Sequence, residues 1–351
     1  MAKKHKYAIH ADFLHFPTFT FSFNALIIGL INLLLRCERF VRQHRVIRAA
    51  TKHSIIAGDG HGIKVLQVNP ARGDQPAPAV IYFHGGAYAL TYASSHVYSV
   101  DWYARNADCT VFLVDYRLSH RHPFPAGFDD CCAALAWVTA HAAELGVDRD
   151  RIALMGDSAG GGLTAGVTQW AFDQQQAQPA AHSPLSAVSS PRVCAQVLIY
   201  PTLDKSCSTE SALQFHDVPL WNGLSNRAMW SAYLRDTVGQ GVPPYAAPAD
   251  RESLANLPPA YIETAEFDPL RDEGIAYAKR LKQDGVATRL VETSNTIHGF
   301  DTVFSSTITQ SSLEQRRQFL RSVFYPEQVS ETSANLTSDQ PLAAAVTQTV
   351  S

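Results

Sequence analysis

The chain has 351 residues, of which 46% are hydrophobic and 17% charged, the composition of a globular enzyme with room for one large α/β domain or two ordinary ones. Its 29 basic and 32 acidic side chains leave a formal net charge of −3, so no basic field points to nucleic acid. Six cysteines without a C-x-x-C spacing exclude a dense secreted disulfide scaffold and read as free thiols, which makes the expected location cytoplasmic.

In chain order, Lys3, Lys4 and Lys6 precede an aromatic stretch (Phe13, Phe16, Phe19, Phe21, Phe23) and an apolar run over 25–35. That run is short of the roughly 20 residues a spanning helix needs. Arg36, Arg39, Arg42, Arg45 and Arg48 follow it in place of a small-residue cleavage site, so a cleaved signal peptide is not expected. Residues 25–47 read as one helix: a lid over a binding pocket in the first place, with an interfacial membrane anchor and a short signal anchor as the other readings. A hairpin is expected from 54–57 and 63–68 around the glycine-rich turn at 58–62. Continuous apolar runs at 79–83, 110–114, 151–155, 195–200 and 260–264 suit parallel strands covered on both faces, and 288–291 reads as the last strand. Helical patterns near 95–107, 126–143, 159–171 and 271–284 lie between them. The alternation predicts an α/β fold with a mostly parallel sheet and helices on both faces.

Three segments depart from that alternation. Residues 173–192, rich in Gln, Ala, Ser and Pro, read as a surface insertion. Residues 205–248 interrupt the sheet and, with an N-terminal helical segment over 1–50, are expected to form a cap on a catalytic domain spanning 51–326. The tail over 327–351 is polar and is read as disordered.

The chemistry centres on Gly156-Asp157-Ser158-Ala159-Gly160, placed between an apolar strand and a glycine-rich helix. A serine at such a junction sits on a strained turn with its hydroxyl exposed at the carboxyl end of the sheet, and a Cβ two residues away on either side would collide with a neighbour. His84-Gly85-Gly86-Ala87-Tyr88 directly follows a buried strand. The amides of Gly85 and Gly86, with that of Ala159, are the expected oxyanion donors, each worth ~2.7–4 kcal/mol in a transition state. His84 is expected to bond its own loop. An orienting acid is sought after the strand ending at Thr264, where Asp268 precedes Pro269; Glu263, Glu266 and Asp272 are rivals on position alone. Among 14 histidines, His298 follows the last strand, and the order Ser158, Asp268, His298 is nucleophile, acid, base.

Taken together, these residues resemble the hormone-sensitive-lipase group of α/β-hydrolases, the bacterial family IV carboxylesterases. The likeness rests on the stretches at 84–88 and 156–161, on Asp115-Tyr116-Arg117-Leu118, His122-Pro123-Phe124-Pro125-Ala126 and Tyr200-Pro201, and on Asp268-Pro269-Leu270 and His298-Gly299-Phe300, in the family's order across about 53–326. It implies an eight-stranded sheet with a helical cap. It also implies hydrolysis of short- to medium-chain carboxylic esters by Ser158 as nucleophile, His298 as base and Asp268 as orienting acid, with no metal or cofactor. The family's third oxyanion-loop glycine is Ala87 here, and its usual Ala-Pro-Glu is Ser119-His120-Arg121, which puts a structural ion pair in question. An amidase or a membrane-associated lipase on the same triad, or a non-catalytic ligand receptor, are the alternatives. Tyr88, Tyr92, Phe215 and Trp221 are candidate pocket linings. Expected partners are a small ester, a membrane surface through 25–47, and a second copy of the chain, since the group pairs edge strands or last helices.

Overall fold

The structure, a computed structural model, describes residues 6–42, 44–69, 76–177 and 191–327. Eight strands form one sheet: β1 (Thr51–Ile56), β2 (Gly62–Val68), β3 (Ala77–Phe83), β4 (Thr110–Asp115), β5 (Val147–Asp157), β6 (Ala195–Ile199), β7 (Ala260–Phe267) and β8 (Thr288–Ile297). Their spatial order is β1-β2-β4-β3-β5-β6-β7-β8. The expected hairpin is β1/β2, antiparallel, and β2 pairs antiparallel with β4; the remaining pairings are parallel. The tail at 328–351 and most of the insertion, 178–190, lie outside the described residues.

Both faces of the sheet are covered, which explains the unbroken apolar runs: all seven residues of β3 are buried. On one face, α4 (Ala126–Ala140) and α5 (Ala159–Gln176) bring Leu135, Val138, Leu163 and Val167 against Ile81, Phe112 and Leu154. On the other, α3 (Ser94–Tyr103) and α9 (Thr307–Phe324) bring Val97, Val100, Leu313 and Leu320 against Val80, Val111 and Ala153. A further helix, α8 (Arg271–Gln283), packs Tyr277, Ala278 and Leu281 on Ile262 of β7.

Within the helix expected over 25–47 lie α1 (Ala25–Arg42) and α2 (His44–Ala49), with residue 43 between them outside the described residues. Val46 and Ile47 of the second pack on the core beside β2, whereas α1 buries only Ile28 and Asn32. Asn32 fastens α1 to the domain: its Nδ2 donates to the Ala89 carbonyl at 3.0 Å and its Oδ1 accepts from the Thr91 amide at 2.8 Å. The segment before α1 lies along α7 (Gly223–Tyr233) and the turn leading into it. There Leu220 N–H donates to the Pro17 carbonyl at 3.0 Å, Asn222 Nδ2 to the Phe19 carbonyl at 2.8 Å, and Phe21 N–H to Ser225 Oγ at 2.8 Å.

One buried ionic network ties α9 to the sheet. Arg316, 1% exposed, donates to Glu263 of β7 through Nε and Nη2, and through Nη1 to Asp301 Oδ2 at 2.7 Å. Burial alone would lower this guanidinium, but Glu263, Tyr103 and Asp301 hold it well above its usual value. Arg316→Met should therefore destabilise the fold by about 3–5 kcal/mol, because it strands buried carboxylates. Adding Glu263→Gln should recover part of the loss. Urea denaturation of the two variants checks both statements.

Candidate active site

The parallel register brings four strand ends to one edge. Phe83 pairs with Gly156, Asp157 with Ile199, Ile199 with Glu263, and Phe267 with Ile297. His84, Ser158, Asp268 and His298 are each the next residue after a strand. The last two strands run further than their apolar residues suggest, to Phe267 and Ile297 instead of Thr264 and Val291. Polar pairing carries the extension: Thr296 Oγ1 accepts from the Glu266 amide at 3.2 Å and Glu266 Oε2 from the Asn295 amide at 2.6 Å.

Ser158 has φ 55° and ψ −120°, a conformation that L-residues rarely adopt. Sterics enforce it. A Cβ on Gly160 would lie 1.9 Å from the Phe83 carbonyl oxygen, and one on Gly156 would lie 2.3 Å from that of Gly160. Ser158 N–H donates to the Ile199 carbonyl at 2.8 Å, and its own carbonyl accepts from Gly162 and Thr202 at 3.1 Å each. Its Oγ lies 2.8 Å from His298 Nε2, and His298 Nδ1 lies 2.7 Å from Asp268 Oδ2. Asp268 is fully buried, and its second oxygen accepts from the Leu270 amide at 2.9 Å. Nδ1–H therefore donates to the carboxylate, which leaves Nε2 as the acceptor facing the serine. The rival acids are occupied elsewhere: Glu263 by Arg316, Glu266 by Asn295, and Asp272 by Arg271 and the Ser211 amide.

His84 is buried, stacked on Tyr116 with ring centroids 4.3 Å apart, and its Nδ1 meets its own loop at Gly85 O, 2.8 Å away. Burial, reinforced by neighbouring His96, pushes it down to about 3, so it stays neutral. The expectation for Gly85 needs correction. Its N–H points away from Ser158 and donates to Asp157 Oδ1 at 3.0 Å. Among the described residues, the amides of Gly86, Ala87 and Ala159 have no acceptor. Gly86, Ala87 and Tyr88 have φ of 118°, 55° and 56°, three consecutive left-handed residues in the loop after β3. The acceptor of the Gly85 amide lies on another strand, which its place in the sequence does not reveal.

That counter-ligand, Asp157, also accepts from Tyr82 Oη at 2.8 Å and faces His96 Nε2 at 3.3 Å. Burial alone would raise its carboxyl, but His96, Tyr82 and the Gly85 amide bring it down to about 2. Of the four candidate lining aromatics, only Trp221 faces the triad, its ring 6.0 Å from that of His298. Tyr88 stacks on Tyr233, Tyr92 lies under Arg39, and Phe215 packs on Tyr7 and Phe267. Tyr200, unmarked at first as a neighbour of the base, sets its ring edge-on to His298 at 4.7 Å. Near Ser119-His120-Arg121 an ion pair is present with a different acid: Arg117 binds buried Asp130 at 2.7 Å, and also Asp59.

The model of the alpha/beta hydrolase fold family matches residues 80–302. Esterase LipI of Mycobacterium tuberculosis is 36% identical over 224 residues, 64% of this chain and 66% of its own length. Carboxylesterase NlhH of the same organism is 38% identical over 225 residues, again 64% and 66%. The match thus spans just under two thirds of these curated relatives. The crystal structure of esterase LipW from Mycobacterium marinum superposes with a TM-score of 0.77 at 32% identity, covering 88% of this chain and 93% of that one.

The depressed Asp157 carboxyl sets a pH dependence. The folded value lies below an ordinary aspartate's ~3.9, so the stabilisation is fully present above that pH and is lost as pH falls towards about 2. Asp157→Asn should lose roughly 2 kcal/mol of stability at neutral pH, with the gap from wild type closing in acid. Denaturant midpoints at pH 7 and pH 2.5 measure the difference; a constant gap contradicts it.

Proposed function

The chain belongs to the α/β-hydrolase superfamily, among its hormone-sensitive-lipase-like carboxylesterases, and from that premise we propose that Ser158, His298 and Asp268 are its catalytic residues. The enzyme is a serine hydrolase of carboxylic esters. The observation that carries the assignment is the unbroken line from Ser158 Oγ through His298 to Asp268, 2.8 and 2.7 Å long in its two links. His298 Nε2 takes the proton as Ser158 Oγ attacks the ester carbonyl. Asp268 holds the ring and stabilises the imidazolium. The oxyanion accepts from the amides of Gly86, Ala87 and Ala159. The alcohol leaves with the proton from His298, an acyl-enzyme remains, and water activated by the same nitrogen releases the acid. Residues 6–50 and 205–248 act as the cap over a catalytic domain spanning 51–326, and Trp221 and Tyr200 border the acyl-binding space. An amidase would use the same residues, but nothing in the site favours a leaving amine. The outer edge of β8, short of Asn295 where Ala8 and His10 bond it, is where a second copy would pair.

A second reading concerns location. Among the described residues no helix is long and apolar enough to cross a membrane. Yet α1 exposes Leu26, Leu30, Leu33 and Leu34 along with Phe40 and Val41, each more than half accessible, beside a row of arginines. Such a face suits an anionic membrane surface approached from a cytoplasmic compartment, where the six cysteines remain free.

Ser158→Ala should abolish turnover of p-nitrophenyl esters with the unfolding transition intact, and Asp268→Asn should lower kcat by about 10⁴. A series from acetyl to palmitoyl esters is expected to peak at short to medium chains, with matched anilides far slower; equal anilide rates would overturn the esterase reading. For the membrane reading, Leu30→Glu/Leu34→Glu should stop co-flotation with anionic vesicles.

A further inference from the structure

Between α1, the start of β2 and the loop after β4 lies a cavity of about 470 Å³ whose lining includes none of Ser158, Asp268 and His298. Its walls include Leu33 and Arg36 of α1, Lys64 of β2, and Asp115, Arg121 and His122 from the end of β4 and the loop after it. Among the described residues, Arg36, Lys64 and Arg121 have no carboxylate partner. Arg117, also in the wall, is already held by Asp130 and Asp59. Asp115, cross-strand from Lys64, is the one acid in the lining; burial pushes it up against the pull of Arg39, Arg36 and Lys64, and one carboxylate cannot neutralise all the cations of this wall. The local positive field registers on the histidines. His122 is lowered first by burial and then by Arg117 and His61; His120 is lowered by burial and then by Arg121. His120 Nδ1 is buried without a hydrogen-bond partner. This excess of positive charge stands out in a chain whose net charge is −3.

We infer that this cavity is a binding site for a phosphate-bearing anion, held by Arg36, Lys64 and Arg121. A phosphate monoester carries about −1.5 to −2 charges at neutral pH and accepts several charge-assisted hydrogen bonds, which suits a cavity lined by three cations without a carboxylate partner. The apolar wall at Leu33 continues onto the exposed Leu26, Leu30 and Leu34, so an acyl or other apolar group attached to the phosphate has a path along α1. The same chemistry is offered by a phospholipid headgroup and by a free phosphate ester. Occupancy would be felt at the catalytic edge, since Tyr116 Oη donates to the His84 carbonyl at 2.6 Å and the Ser119 amide to that of Tyr88 at 2.7 Å.

The test is titration calorimetry of the full chain with inorganic phosphate and glycerol 3-phosphate at constant ionic strength, with chloride as control. Co-flotation with phosphatidylcholine vesicles, with and without phosphatidic acid, runs in parallel. Arg36→Gln, Lys64→Gln and Arg121→Gln are compared with Lys279→Gln on α8, each checked for an unchanged unfolding transition. Phosphate should bind wild type and the α8 variant alike, and each cavity variant should weaken it by roughly tenfold or more. If phosphatidic acid flotation falls in step with phosphate binding, the source is a lipid headgroup. If phosphate binding falls and flotation does not, the ligand is a free phosphate ester. Absence of phosphate binding, or equal binding by all variants, overturns the site. Because the readout is binding, it is independent of the Ser158 assignment, and the leucine variants of α1 test the apolar face separately.

Discussion

The site depends on one steric constraint: the junction of β3, β5 and α5 has no room for a methyl group at Gly160 or Gly156. With the Phe83 carbonyl oxygen 1.9 Å from where a Gly160 Cβ would sit, α5 begins directly against the end of β3. The turn between β5 and α5 then has a single residue in which to reverse, and Ser158 takes the left-handed φ that a longer loop would avoid. The same closeness sets the oxyanion geometry, because the first helical amide, that of Ala159, is brought beside the loop leaving β3. The nucleophile and one donor are thus placed by backbone packing, which no side-chain rearrangement can relax.

Where sterics stop, Asp157 takes over. A carboxylate at the end of β5 would be unfavourable in so enclosed a place, yet three groups from β3, its loop and α3 converge on it. By capturing the Gly85 amide it fixes the first turn of the loop. The next two residues, Gly86 and Ala87, both have positive φ, and their amides have no acceptor among the described residues. An alanine in the left-handed region is strained by roughly 1–2 kcal/mol relative to glycine. The Ser119 amide on the Tyr88 carbonyl and the Tyr88–Tyr233 stack at 3.8 Å hold the loop in that form.

The sheet, its helices and the order of the three triad residues were legible in the sequence because each rests on a local signal. Buried strands read as apolar runs, and the serine junction needs its glycines. What was not legible depended on pairing at a distance. The ends of β7 and β8 are polar, 292–296 reading Glu-Thr-Ser-Asn-Thr, and become strand only by pairing with each other. The role of Gly85 was misread because Asp157 lies 72 residues away. Over 25–47 the spacing gave helix, but not that Val46 and Ile47 pack on the core beside β2 while α1 buries only Ile28 and Asn32.

These two kinds of constraint divide the molecule by rigidity. The catalytic edge is fixed by backbone collisions, parallel register and buried charge. The covering layer is held by different means: the segment before α1 meets the turn around Leu220 and α7 through a few main-chain and amide hydrogen bonds and through aromatic contacts such as Phe21 with Trp221. Further along the same segment, Lys6 and Tyr7 bond Asp217, His10 N–H donates to the Asn295 carbonyl at 2.9 Å, and Phe13 is fully buried against Phe300. Ser158 itself is only 8% exposed. Trp221, 8% exposed, touches both parts: its ring lies 6.3 Å from that of Phe21 and 6.0 Å from that of His298, so one buried indole couples the N-terminal segment to the imidazole.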